Sequence, residues 1–107
     1  MKVLGIETSC DECSIAVVED GRRILSSIVA TQIDIHRPFM GVVPEIASRT
    51  HTEWIHDTFT EALRRGNLAK EHIEGIAVTS RPGLVGSLLV GLSFAKGLAL
   101  SLGIPFT

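Results

Sequence analysis

Ile73-Glu74-Gly75-Ile76-Ala77-Val78-Thr79-Ser80-Arg81-Pro82-Gly83-Leu84-Val85-Gly86-Ser87 passes from an apolar run through a proline–glycine turn into a helix-length apolar segment. The run Ile73 to Thr79 reads as a buried strand, and the turn Arg81-Pro82-Gly83 opens a helix reaching about Leu102. Gly103-Ile104-Pro105-Phe106-Thr107 then reads as the start of a further strand. A strand and helix in this order belong to a parallel α/β unit. The helix would pass a simple hydropathy screen for a membrane span. Lys96 near its middle and four glycines between Gly83 and Gly97 argue against that reading.

This segment is apolar on nearly every face, with Leu88, Leu89, Val90, Leu92, Phe94, Leu98 and Leu100 sharing no single stripe. A helix of that kind must be covered all round. Ser87, Gly91, Ala95 and Ala99 recur at four-residue intervals as a column of small residues that another helix can approach closely. The expectation is that this column, together with a preceding helix bearing Trp54, meets another lobe, subunit or partner.

Upstream, Met1 to Gln32 reads as three short strands. Val3–Ile6 leads into the polar turn Thr8-Ser9-Cys10-Asp11-Glu12, and Ser14–Val18 returns. Asp20-Gly21 marks a hairpin, because glycine accepts the positive φ of a type I′ turn. The third strand, Arg22 to Thr31, offers Ile24, Leu25, Ile28 and Val29 to the core. Asp34 to Val43 reads as a loop. A helix follows from Pro44, with Glu45 at its positive end, apolar Ala47, Trp54, Ile55, Phe59, Ala62 and Leu63 in rough 3.6-residue period, and Arg64-Arg65-Gly66 at its end. The order βββ-α-β-α-(β) describes an α/β mixed sheet flanked by helices. It resembles the ribonuclease H-like lobe of actin, hexokinase and Hsp70-type ATPases.

With 107 residues the chain holds one domain, 1–107. Twelve acidic against ten basic side chains give a net charge of −2, so no basic stripe supports strong RNA binding by this chain alone. Two cysteines exclude a disulfide scaffold, and no signal-peptide pattern is visible, which points to the cytoplasm and away from membranes. All acidic residues lie at or before Glu74, so any acid–base chemistry must come from the first two thirds.

Cys10-x-x-Cys13 with His51 and His56 imitates a zinc site. The two histidines stand five apart on a helix, about 140° apart in projection, and cannot chelate from one face. Asp11 and Glu12 would raise rather than lower a thiol pKa, which disfavours redox chemistry. His36 and His72 read as surface or loop residues, and no metal ligand is assigned. Glu7 to Glu12 is a turn dense in hydroxyls, amides and carboxylates at a strand end. It suits a phosphate bridged by Mg²⁺, or the orientation of a substrate or water, and it can equally be a solvated turn. The loop Ser80–Ser87 offers free amides at a helix N-terminus, or is simply a turn.

Leu4-Gly5-Ile6-Glu7-Thr8-Ser9-Cys10-Asp11-Glu12, Gly41-Val42-Val43-Pro44-Glu45-Ile46-Ala47-Ser48-Arg49-Thr50-His51 and Pro82-Gly83-Leu84-Val85-Gly86-Ser87-Leu88-Leu89-Val90-Gly91 together resemble the N-terminal lobe of the TsaD (Gcp, formerly "glycoprotease") family. The resemblance implies transfer of a threonylcarbamoyl group from threonylcarbamoyl-adenylate to adenosine 37 of ANN-reading tRNAs. It implies Thr8, Ser9, Cys10 and Gly83 near nucleotide or substrate, with Asp11 and Glu12 as the cleft carboxylates. It also implies an iron or zinc ion and ATP or the adenylate with Mg²⁺ in the full-length protein, and none of these in an inactive N-terminal piece. The implied partners are a TsaB-like paralogue, or a second copy through the same helices, and TsaE in bacteria. Cys13, Met40 and Arg81 depart from the family pattern. Two other readings remain open: a non-catalytic TsaB-like scaffold, and the phosphate-binding lobe of another ATPase-fold kinase.

Overall fold

The computed structural model describes residues 1–107 as a mixed sheet with helices on one face. Strands β1 (Lys2–Glu7), β2 (Glu12–Glu19) and β3 (Arg23–Thr31) form an antiparallel meander. A short helix α1 (Ile33–His36) and one 3-10 turn (Arg37–Phe39) lead to α2 (Pro44–Arg65). Strand β4 (Gly75–Val78) joins β1 in parallel, and α3 (Val85–Leu102) follows. The sheet order is β3-β2-β1-β4. Beyond α3, Phe106 pairs in parallel with Ile76, so the expected further strand begins on the free edge of β4.

Local chemistry accounts for these elements. Asp20 and Gly21 both take positive φ, 54° and 69°, as the primed hairpin requires. Pro44 sits in the first turn of α2, where its missing N–H leaves nothing unpaired. Alternation along the strands sends Leu4, Ile6, Cys13, Ile15, Val17 and Ile76 to one face, where Ile55, Phe59, Ala62, Ala95 and Ala99 from the helices meet them. Phe59 and Phe94 make an edge-on contact between α2 and α3, with ring centroids 5.4 Å apart. Burying a large aliphatic side chain in such a core stabilises by roughly 1.5–3 kcal/mol.

Two sequence expectations are corrected here. Ile24 and Val29 do not enter the core. Ile24 is 68% exposed, because both residues point to the sheet face that carries no helix. The small column of α3 does not face outward either. Ser87, Gly91, Ala95 and Ala99 are all buried, pressed on the chain's own sheet, and a Cβ on Gly91 would lie 2.6 Å from Thr8 Oγ1. The reason is distance: only side chains as small as those of glycine, alanine and serine let α3 come down onto β1 and β4. The outer face carries the larger residues instead, with Leu89 54% and Leu100 86% exposed. Trp54 on α2 is half-buried. Helix α3 is long and apolar enough to cross a membrane by length and composition, and its small-residue stripe is packed against the chain's own sheet.

Substitution at two glycines of α3 separates close approach from helix propensity. Gly91→Ala is expected to lower unfolding stability by about 1–3 kcal/mol through overpacking against Thr8. Gly97→Ala, where no atom lies within 4 Å, is expected to raise it by about 0.5–1 kcal/mol. Urea denaturation of both variants measures the contrast.

Candidate functional site

The turn between β1 and β2 is held by a different structural element at each residue. The Thr8 hydroxyl is buried, donating to the Ser87 carbonyl at 2.7 Å and accepting the Gly91 N–H at 3.1 Å, which ties it to α3. The Ser9 carbonyl accepts the Leu84 N–H at 2.8 Å, from the loop after β4. The Cys10 carbonyl accepts from His51 Nε2 at 2.7 Å, from α2. The Asp11 carbonyl accepts the Gln32 N–H at 2.8 Å, from the end of β3. Gly83 makes the second of these approaches possible, since a Cβ there would sit 2.6 Å from the Ser9 carbonyl oxygen. The two loops singled out in the sequence, Glu7–Glu12 and Ser80–Ser87, are therefore in contact.

Glu7 closes β1 and is half-buried. Its Oε1 accepts the Ser9 N–H, and its Oε2 accepts the Thr79 hydroxyl at 3.1 Å. Burial raises its pKa, but hydrogen bonds from Ser9 and Thr79, helped by His51, outweigh that and hold it below the ordinary glutamate value. Glu7 thus presents a fixed anion in an open depression of about 600 Å³ on the helix-free side, at the carboxyl ends of β1 and β4. Sequence reasoning placed Glu7 in the polar turn without singling it out. Its signal was the position at the end of a strand followed by Thr8-Ser9.

The acidic pair divides between two places. Asp11 lines a smaller depression with Ile33, His36, Arg37, Met40, Gly41 and Val42. Glu12 begins β2 and is exposed. Of the expected substrate-proximal residues, Ser9 and Cys10 are half-buried and Gly83 is exposed on top of Ser9. Thr8 is spent inside the fold, and its hydroxyl has no share in the surface. Arg81 is exposed.

His36 is a correction. It is buried rather than on the surface, held by Gln32 on one side and by Val43, the residue before α2, on the other. Its Nδ1 accepts the Val43 N–H at 3.1 Å, so Nε2 carries the proton and donates to Gln32 Oε1 at 2.7 Å. Gln32 in turn donates to the Ala47 carbonyl at 3.3 Å. This buried network backs the Asp11 turn.

The cysteine and histidine pairs do not converge. His51 is 0% exposed and bonds the Cys10 carbonyl rather than its thiol, while His56 lies on the exposed side of α2. Burial and Asp11 push the Cys10 thiol up, and burial pushes the Cys13 thiol up, so both are held protonated, against nucleophilic or ligating use. No three His, Cys, Asp or Glu side chains gather as a metal site. The donor set of this chain therefore does not fit an iron or zinc ion.

The His51 and Glu7 shifts give a stability–pH relation. Burial drives the His51 pKa below 6.5 despite the Cys10 bond and the nearby Glu7 and Asp11 charges. The unfolded chain then binds the proton more readily, so stability is full above about pH 6.5 and falls as pH drops toward the lower folded value. Glu7 adds a second loss below its ordinary value of 4.5, as pH falls through its lower folded pKa. Thermal midpoints between pH 7 and about pH 3 are expected to fall in both windows, with the upper one flattened in His51→Gln.

Comparison with known proteins bears on this geometry. Residues 23–107 match the family model TsaD, tRNA N6-adenosine threonylcarbamoyltransferase. A protein of that name from Treponema denticola is 63% identical over 106 residues, covering 99% of this chain and 31% of its own length. Another of that name from Caldicellulosiruptor bescii is 60% identical over 106 residues, covering 99% of this chain and 32% of its own length. The chain thus spans about a third of these relatives. Among solved structures, YeaZ from Pseudomonas aeruginosa superposes with a TM-score of 0.71 over 99% of this chain and 43% of its own, at 21% identity, a likeness of fold. The mixed sheet is shared with YeaZ, and the chain belongs to the TsaD family of tRNA N6-adenosine threonylcarbamoyltransferases.

Proposed function

We propose that residues 1–107 form the N-terminal lobe of a tRNA-modifying acyltransferase, in which the Thr8–Glu12 turn faces the reacting groups. The observation that carries this reading is the turn itself: four elements hold it, one through the Thr8 hydroxyl and three through the carbonyls of Ser9, Cys10 and Asp11, while the Asp11 and Glu12 carboxylates stay accessible. Fixed backbone with free carboxylates suits positioning an amine and accepting its proton.

The reaction is transfer of the threonylcarbamoyl group from threonylcarbamoyl-adenylate to the N6 amino group of adenosine 37 in ANN-reading tRNAs. A C–N bond forms between N6 and the carbamoyl carbon, the C–O bond to the adenylate phosphate breaks, and AMP leaves. The N6 proton passes to a carboxylate. Asp11, set in its depression beside Arg37, is assigned that role. Glu12, exposed at the start of β2, orients the incoming group. Ser9, Cys10 and Gly83 shape the cleft wall. The family implies a metal-dependent, ATP-using protein in general.

The outer faces of α2 and α3, with Trp54, Leu89 and Phe94, are assigned to a TsaB-like paralogue or a second copy, with TsaE as a further bacterial partner. The small column assigned to this role from sequence lies inside and cannot take part. The proposed compartment is the cytoplasm. The family match and high identity over nearly the whole chain support the transferase reading over a non-catalytic scaffold.

Asp11→Asn in the full-length protein, assayed with its partners by incorporation of labelled threonine into tRNA, is expected to lower kcat by about a hundredfold or more. The melting temperature should stay near wild type, since only the Asp11 carbonyl is used in the fold. A wild-type rate would remove the acidic turn from the chemistry.

A further inference from the structure

Helix α2 buries a stripe made of Ala47, His51, Ile55, Thr58 and Ala62. An aliphatic side chain is the ordinary occupant of such a stripe. His51 is fully buried, its Nε2 lies 2.7 Å from the Cys10 carbonyl, and its Nδ1 has no partner among the protein's own atoms. A carbonyl oxygen can only accept, so Nε2 carries the proton and Nδ1 is a bare lone pair sealed in the interior. Packing alone gives no reason for an imidazole here, because a leucine would fill the stripe without an orphaned acceptor.

What the imidazole supplies is a rigid donor to one particular peptide group. The Cys10 carbonyl belongs to the peptide that joins Cys10 to Asp11. Because that unit is planar, fixing the oxygen fixes the orientation of the Asp11 N–Cα bond. Its neighbours are held by main-chain donors, Leu84 to Ser9 and Gln32 to Asp11. Cys10 alone relies on a side chain, one that lies 41 residues away. We infer that His51 is a positioning residue of the transfer reaction, setting the direction of the Asp11 carboxylate through the Cys10 carbonyl without touching substrate. This inference rests on the assignment of Asp11 to the reacting site.

Two substitutions with the same amide group separate positioning from packing. The glutamine amide nitrogen reaches the place of Nε2 and can donate to Cys10. The asparagine amide reaches only the place of Nδ1. In the full-length protein assayed with its partners, His51→Gln is expected to fold cooperatively and keep kcat within about threefold of wild type. His51→Asn is expected to fold with a similar midpoint and lose at least about tenfold in kcat, with KM for tRNA within about threefold. The inference is overturned if His51→Gln fails to fold or is as slow as His51→Asn. It is overturned too if His51→Asn unfolds, keeps the wild-type kcat, or loses only in KM. Asp11→Asn run beside them tells the two levels apart. A wild-type rate in that variant removes the underlying site and this inference together, whereas a slow Asp11→Asn with an unaffected His51→Asn removes this inference alone.

Discussion

The fold hangs on the buried hydroxyl of Thr8. It bridges the Ser87 carbonyl and the Gly91 N–H, successive partners along one turn of α3, and so locks the end of β1 to the helix that follows β4. That lock requires glycine at 91, because any side chain there would strike the hydroxyl. Once α3 lies this close, Gly83 lands on Ser9 and Leu84 can donate to its carbonyl. The conformation of the acidic turn is then no longer a local matter. It is dictated by α3, the loop before it, α2 and the end of β3 together, which is how a surface turn becomes stiff.

The same constraint explains the uneven dress of α3. Small side chains inside let the helix touch the sheet, and the large ones are pushed to the outer face, where Leu89 and Leu100 stay in water. The other side of the sheet carries Gly5, Ser14, Ala16 and Ala77 around a broad depression with Glu7 at its rim. The sheet is thus covered by helices on one face and open on the other, and the outer face of α3 is open as well.

Features written in neighbouring residues could be read directly. Asp20-Gly21 announced its hairpin, Pro44 its helix start, and the Ile73–Leu102 segment its strand and helix. The acidic turn was recognisable by composition, and three separated motifs carried the family. What could not be read were matters decided by partners distant in sequence. The column of small residues in α3 said that something comes close, but not that the something is the chain's own sheet. His36, Gln32 and His51 carry polar groups that look solvated in a string of letters, and become core only when Gln32 and Val43 close on His36 and Cys10 arrives from 41 residues upstream. The division of Ile24 and Val29 from Leu25 and Ile28 depended on strand phase across a bulge between Val17 and Val18.

Four tethers make the Thr8–Asp11 turn as rigid as the core behind it. Native-state amide hydrogen exchange reads this at the two main-chain donors that hold it, the N–H groups of Leu84 and Gln32. Both are expected to exchange only through large-scale opening, with protection matching the amides of β1. Exchange at the pace of free loop amides, with β1 still protected, would contradict the account.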